Sequence, residues 1–121
     1  MPTPTVLVVE DDSVILRLIE VTFELEGFEV ICAHDGPEGI EAARTQQPDL
    51  VITDLTMPGM SGPEVVAALK AEDATHDIPV ILLSTAAHTA GVRVSSGADD
   101  TVSKPFEPLD LIVRANALLH R

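Results

Sequence analysis

Two hydrophobic rhythms take turns along this chain. Short runs of apolar residues occur at Thr5 to Val9, Phe28 to Ala33, Asp49 to Thr53 and Ile78 to Leu83. Runs of this length, rich in Val, Ile and Leu, read as strands covered on both faces. Between them, apolar residues recur every three or four positions. Ser13 to about Glu26 predicts a helix with Ile15, Leu18, Ile19 and Phe23 on one face, Ser13 as its cap and Gly27 as its stop. Gly36 to Gln47 predicts a weaker helix ended by Pro48, and Pro63 to Glu72 a third with proline in its first turn. Thr101 to Ser103 reads as a short fifth strand. Pro108 to His120 closes the pattern as a helix with Leu109, Ile112, Val113 and Ala117 as its inner stripe.

Strands alternating with helices over short connectors specify an α/β fold, a parallel sheet with helices on both faces. Right-handed crossovers bring the C-terminal end of every strand to one edge, and ligands of such sheets bind there. No internal repeat or linker interrupts the pattern. One domain over residues 1–121 is expected, with 1–4 as a short tail.

Composition narrows the function. The 121 residues are 45 % hydrophobic, and Phe23, Phe28 and Phe106 are the only aromatics, so the core is aliphatic. Twenty acidic residues against seven basic ones give a net charge of −13. Such a surface repels phosphate backbones and anionic lipid, which argues against direct nucleic-acid or membrane binding and favours cations and basic partner patches. The single Cys32 excludes an internal disulfide. The N-terminus lacks the basic and apolar regions of a leader, and no apolar run reaches membrane-spanning length; a cytoplasmic location is expected.

The residues that follow each strand carry the chemistry. Glu10, Asp11 and Asp12 follow the first, Asp54 the third, Ser84 and Thr85 the fourth, and Lys104-Pro105-Phe106 the fifth. Parallel topology therefore gathers carboxylates, a hydroxyl and an ammonium at one edge. Two carboxylates about 4 Å apart repel by roughly 4 kcal/mol at an effective dielectric of about 20. A divalent cation resolves this, and an oxygen-only ligand set without His or Cys suits Mg²⁺ or a similar hard ion such as Mn²⁺. The ion, Lys104 and Ser84 would neutralise or bind phosphoryl oxygens, with Asp54 as nucleophile.

Four stretches in this order, "VLVVEDD", "DLVITDLTMPGMSG", "PVILLS" and "GADDTVSKPF", resemble the receiver domains of two-component response regulators, of the single-domain chemotaxis type. The resemblance covers essentially the whole chain. It implies a doubly wound, flavodoxin-like sheet of order 2-1-3-4-5 with five helices. It implies Mg²⁺ on Asp11 and Asp54, helped by Glu10 through water and by the backbone carbonyl of Thr56. It implies phosphorylation of Asp54 by a histidine kinase or histidine phosphotransfer protein, with Ser84 and Lys104 holding the phosphoryl group, and a cis Lys104–Pro105 bond. It implies a domain that catalyses only its own phosphorylation and dephosphorylation and signals to a downstream protein target.

Two departures stand out. Thr101 occupies the position where the family usually has Tyr or Phe as a switch, which puts aromatic switching in doubt. The stretch from Ser84 to Gly97 is short, and Gly91 with two valines makes it a poor helix, so the helix between the fourth and fifth strands is expected to be short or irregular. Thr85 replaces a smaller residue and is the fallback for Ser84; with Thr56 it should flank the phosphoryl group. The kinase or phosphotransfer helix is expected to dock near Ile15, Leu18 and Phe23. Alternatives are a phosphorylation-independent interaction module on the same fold, a receiver cut from a longer regulator, and a small-molecule phosphohydrolase. The last is disfavoured by Thr56, where such enzymes carry a second Asp.

Overall fold

The computed structural model describes residues 3–85 and 97–120, with the side chain of Thr85 excepted. Five parallel strands, β1 (Thr5–Val9), β2 (Glu29–Ala33), β3 (Leu50–Asp54), β4 (Val80–Thr85) and β5 (Asp100–Lys104), form one sheet of order β2-β1-β3-β4-β5. Four helices are described: α1 (Ser13–Leu25), α2 (Gly36–Gln46), α3 (Gly62–Ala71) and α4 (Pro108–Leu119). The fold class and strand order match the expectation. The helix expected between the fourth and fifth strands lies outside the described residues.

The continuous apolar runs follow from burial on both faces. Successive strand residues point to opposite sides. Val6, Val8, Ile52, Ile81 and Leu83 pack with Leu16, Ile19 and Phe23 of α1 and Leu111 of α4. Leu7, Val9, Val51, Val80 and Leu82 pack with Ile40 of α2 and Val65 and Leu69 of α3. Phe23 and Phe28 meet edge to face, with ring centroids 4.9 Å apart. On the N-terminal edge, Lys70 Nζ donates to the Ile78 carbonyl at 3.0 Å and to Asp99 Oδ2 at 3.1 Å, which also accepts from Val80 N–H at 2.8 Å. That clamp joins the end of α3 to the start of β4 and to the residue before β5.

Three local expectations are corrected. The cap of α1 is Asp12, whose Oδ1 accepts from Val14 N–H at 2.9 Å and Ile15 N–H at 3.2 Å, and Ser13 is the first helical residue. A carboxylate there also suits the positive end of the helix dipole. Leu18 is 47 % exposed; Leu16 takes a place on the buried face with Ile19 and Phe23. In α4 the buried residues are Leu111, Ile112 and Ala115, while Leu109 and Val113 are 66 % and 65 % exposed. Two stripes compete on this helix. The stripe through Leu111 continues to Leu118 and Leu119, which pack against the core. The rival stripe through Leu109 runs into Asn116 and His120, so the longer apolar face wins.

This assignment of faces predicts that Leu111→Ala lowers unfolding free energy by about 2–5 kcal/mol. Leu109→Ala should change it by no more than about 0.5 kcal/mol. Urea unfolding of the two variants measures the contrast.

Candidate functional site

Each expected group sits where its strand ends. β1 runs directly into Glu10, which is fully buried, its backbone N–H bound to the Ala33 carbonyl of β2 at 3.0 Å. Asp11 follows and is exposed. β3 ends on Asp54, 8 % exposed, with its backbone beside Leu83 of β4. β5 ends on Lys104, and the Lys104–Pro105 peptide is cis. Chain direction alone thus gathers groups from both ends of the sequence.

The ammonium of Lys104 lies 2.9 Å from Asp54 Oδ1 and 3.4 Å from Glu10 Oε1. Asp54 Oδ1 also accepts from the Leu55 backbone N–H at 2.9 Å. Oxygen atoms of Glu10, Asp11 and Asp54 all lie within 4.8 Å of one another. Four ionisable groups, three acidic and one basic, therefore share one pocket.

The electrostatics follow from that crowding. The pKa of Glu10 is pushed up to about 7, first by burial, then by the Asp54 charge and a hydrogen bond with Asp54, with Lys104 pulling the other way. Burial opposes the charge on Lys104, but its hydrogen bond to Asp54 and the charges of Asp54 and Glu10 outweigh this and raise its pKa. One ammonium cannot balance three carboxylates. Among the described residues Glu10 Oε2 is buried without a hydrogen-bond partner, and an orphaned buried acceptor costs free energy. A hard cation, alone or with its waters, fits the oxygen-only donors and the excess negative charge of this cluster.

Ser84 is buried at the end of β4, paired with Ser103 of β5. Thr56 is exposed, two residues beyond Asp54 in the loop between β3 and α3. Thr101 is 6 % exposed within β5, its N–H bound to Asp100 Oδ1 at 2.8 Å. The Thr85 side chain lies outside the described residues. Asp12 serves α1 as its cap. His34, His76 and His120 are exposed. Cys32 is only half-buried, with its thiol pushed up to about 11 by burial and the nearby Glu20.

Two contributors escaped the sequence reading. The Leu55 N–H, which orients Asp54, is a backbone group and carries no signature. By its place in the sequence Gly62 reads as a turn glycine, like Gly59. Gly59 is one, at φ +83°, but Gly62 is required for space, since a Cβ there would overlap the Asp54 carbonyl oxygen.

Comparison with known proteins agrees with this geometry. The family model of the response regulator receiver domain matches residues 6–116. The chain is 42 % identical over 123 residues to the transcriptional regulatory protein PrrA of Mycobacterium tuberculosis, covering 98 % of this chain and 51 % of that protein. The chain thus spans about half the length of such relatives. It is similar in structure to the chemotaxis response regulator CheY4 of Vibrio cholerae, with TM-score 0.89 and 28 % identity over 97 % of this chain and 99 % of the other. It is similar too to the receiver domain of the sensor histidine kinase PA1611 of Pseudomonas aeruginosa PAO1, with TM-score 0.90 and 25 % identity over 99 % and 100 % of the two chains; that structure holds a magnesium ion in its active-site cleft.

The raised Glu10 pKa fixes a pH dependence. Without divalent ions, the folded protein holds the Glu10 proton more tightly than the unfolded chain, so this contribution is full below about pH 4.5 and is lost as pH rises through about 7. The loss should amount to about 3 kcal/mol at most. Glu10→Gln should flatten the wild-type decline between those values, as read by urea unfolding in the presence of a chelator.

Proposed function

The chain belongs to the response regulator receiver family, and on that premise we propose that it accepts a phosphoryl group on Asp54 and signals by changing its binding to a partner protein. The observation that carries this reading is the Asp54 carboxylate at a strand end, 2.9 Å from Lys104 Nζ and inside a cluster that includes Glu10 and Asp11. The donor is a histidine kinase or histidine phosphotransfer protein.

A carboxylate oxygen of Asp54 attacks the phosphorus of a phosphohistidine. A P–O bond forms as the P–N bond breaks, and its electron pair leaves with the imidazole, which departs neutral when its second nitrogen is protonated. The Leu55 N–H and Lys104 hold the carboxylate in place beforehand. Lys104 then moves its contact from the carboxylate to a phosphoryl oxygen, and the Ser84 hydroxyl donates to another. Glu10, Asp11 and Asp54, with the Thr56 carbonyl, would hold Mg²⁺ or Mn²⁺, which when bound offsets the charge on the carboxylates and the phosphoryl oxygens. The domain turns over no separate substrate.

The donor helix docks beside this edge. Ile15, Leu18, Pro105 and Phe106 line a cleft of about 390 Å³ that reaches Lys104. Val14, 77 % exposed, and Leu18 extend its apolar rim along α1. Phe23 is wholly buried, so the docking surface is carried by α1 and the loop after β5 without it. Thr101 is buried in β5 where an aromatic would stand, so the response to phosphorylation uses no aromatic at that position.

Incubation with acetyl phosphate and Mg²⁺ should add one phosphoryl group to the wild type by mass spectrometry and none to Asp54→Asn. Lys104→Ala should slow the reaction by about a hundredfold. A wild type that stays unmodified would point instead to a phosphorylation-independent interaction module.

The cleft supports a separate expectation. Leu18→Asp should weaken transfer from a phosphohistidine protein by about tenfold or more and leave modification by acetyl phosphate unchanged, as measured by paired transfer assays.

A further inference from the structure

We propose that Gly62 is a positioning residue for the Asp54 site: its missing side chain lets the start of α3 seat directly on the peptide bond that follows the nucleophile. This rests on the reading of Asp54 as phosphoacceptor. The backbone of Gly62 does not require glycine, since among the described residues the positive-φ glycines are Gly27, Gly59 and Gly97. Space requires it. A Cβ on Gly62 would overlap the Asp54 carbonyl oxygen and would lie 3.0 Å from its carbonyl carbon and 2.6 Å from Leu82 Cδ2. The first two are backbone atoms at the end of a central strand and cannot turn aside as a flexible side chain would.

What the seat controls is the peptide between Asp54 and Leu55. Its carbonyl lies against Gly62. Its N–H, that of Leu55, donates both to Leu83 O at 2.8 Å and to Asp54 Oδ1 at 2.9 Å. Gly62 N–H donates to Leu55 O at 2.8 Å, so the two segments are hydrogen-bonded as well as in contact. α3 is not free to slide away. Ser61 Oγ accepts from Glu64 N–H at 3.3 Å, and Glu64 Oε1 accepts from Ser61 N–H at 3.1 Å, a reciprocal cap that fixes its first turn. Any side chain at 62 must therefore turn or displace the 54–55 peptide. That swings the Leu55 N–H off the carboxylate it orients, and shifts Thr56 at the same time. The consequence is a misaimed Asp54 in a sheet that is otherwise intact.

The test compares Gly62→Ala with Leu82→Ala, which destabilises the core beside the same spot without touching the peptide. Unfolding temperature, Mg²⁺ affinity by calorimetry and the rate of modification by acetyl phosphate are measured on each. Gly62→Ala should unfold cooperatively, bind Mg²⁺ about tenfold or more weakly, and react more slowly at saturating Mg²⁺. Leu82→Ala should lose thermal stability and keep its Mg²⁺ affinity within about twofold. Wild-type affinity and rate in Gly62→Ala overturn the proposal, as does an equal loss of affinity in Leu82→Ala. If Gly62→Ala fails to fold, Ser61→Ala loosens the same first turn without overlap. It should weaken Mg²⁺ binding severalfold, and an unchanged affinity overturns the proposal. A wild type that never reacts strikes the phosphoacceptor reading; a reactive wild type with an unaffected Gly62→Ala strikes this inference alone.

Discussion

Negative charge held together against its own repulsion is the constraint around which this molecule is organised. Glu10, Asp11 and Asp54 place oxygens within 4.8 Å of one another, and Lys104 is the ammonium placed among them. Water would keep such groups apart. The sheet does not allow it, because the backbones that carry them are fixed by β1 and β3 pairing side by side and by β4 pairing on the far side of β3. The crowding appears in Glu10, whose pKa is pushed up to about 7, and in a Glu10 oxygen without a partner among the described residues. A site in this state gains from a cation that restores the balance, and that gain would tie cation binding to the stability of the fold.

The elements around the site are arranged to keep it from relaxing. Lys104 reaches the carboxylates from the last strand, so losing β5 would remove the counter-charge. The Leu55 N–H and the glycine at the head of α3 fix the orientation of Asp54. Asp12, next to the acidic pair, is spent on capping α1 and so ties the first helix to the same loop. At the opposite edge, Lys70 and Asp99 fasten α3 to β4 and β5. α3 thus runs between two anchored ends, one on the backbone of Asp54 and one beside the strand that carries Lys104.

Much of this was legible in the sequence, for identifiable reasons. Apolar runs marked the first four strands and the short Thr101 to Ser103 stretch the fifth, and all five lie within two residues of the expected bounds at either end. The gathering of Glu10, Asp11, Asp54 and Lys104 follows from parallel topology, because every strand delivers its last residues to one edge. Other features had no such signal. Leu109 and Leu111 are equally apolar, and only contact with the sheet decides which faces inward. Ser13 and Asp12 are both good caps, and their order in the turn decides between them. Gly62 reads like any turn glycine until its neighbour is known. The Leu55 N–H belongs to no side chain at all.

The account stands on the acidic cluster being a cation site under charge stress. The direct measurement is thermal unfolding of the wild type at pH 7.5 as Mg²⁺ is added, beside Asp11→Asn. A saturable rise in unfolding temperature that the variant largely loses is the result expected when a ligand binds only the folded state. An unfolding temperature that does not respond to Mg²⁺, or responds equally in both proteins, would contradict it.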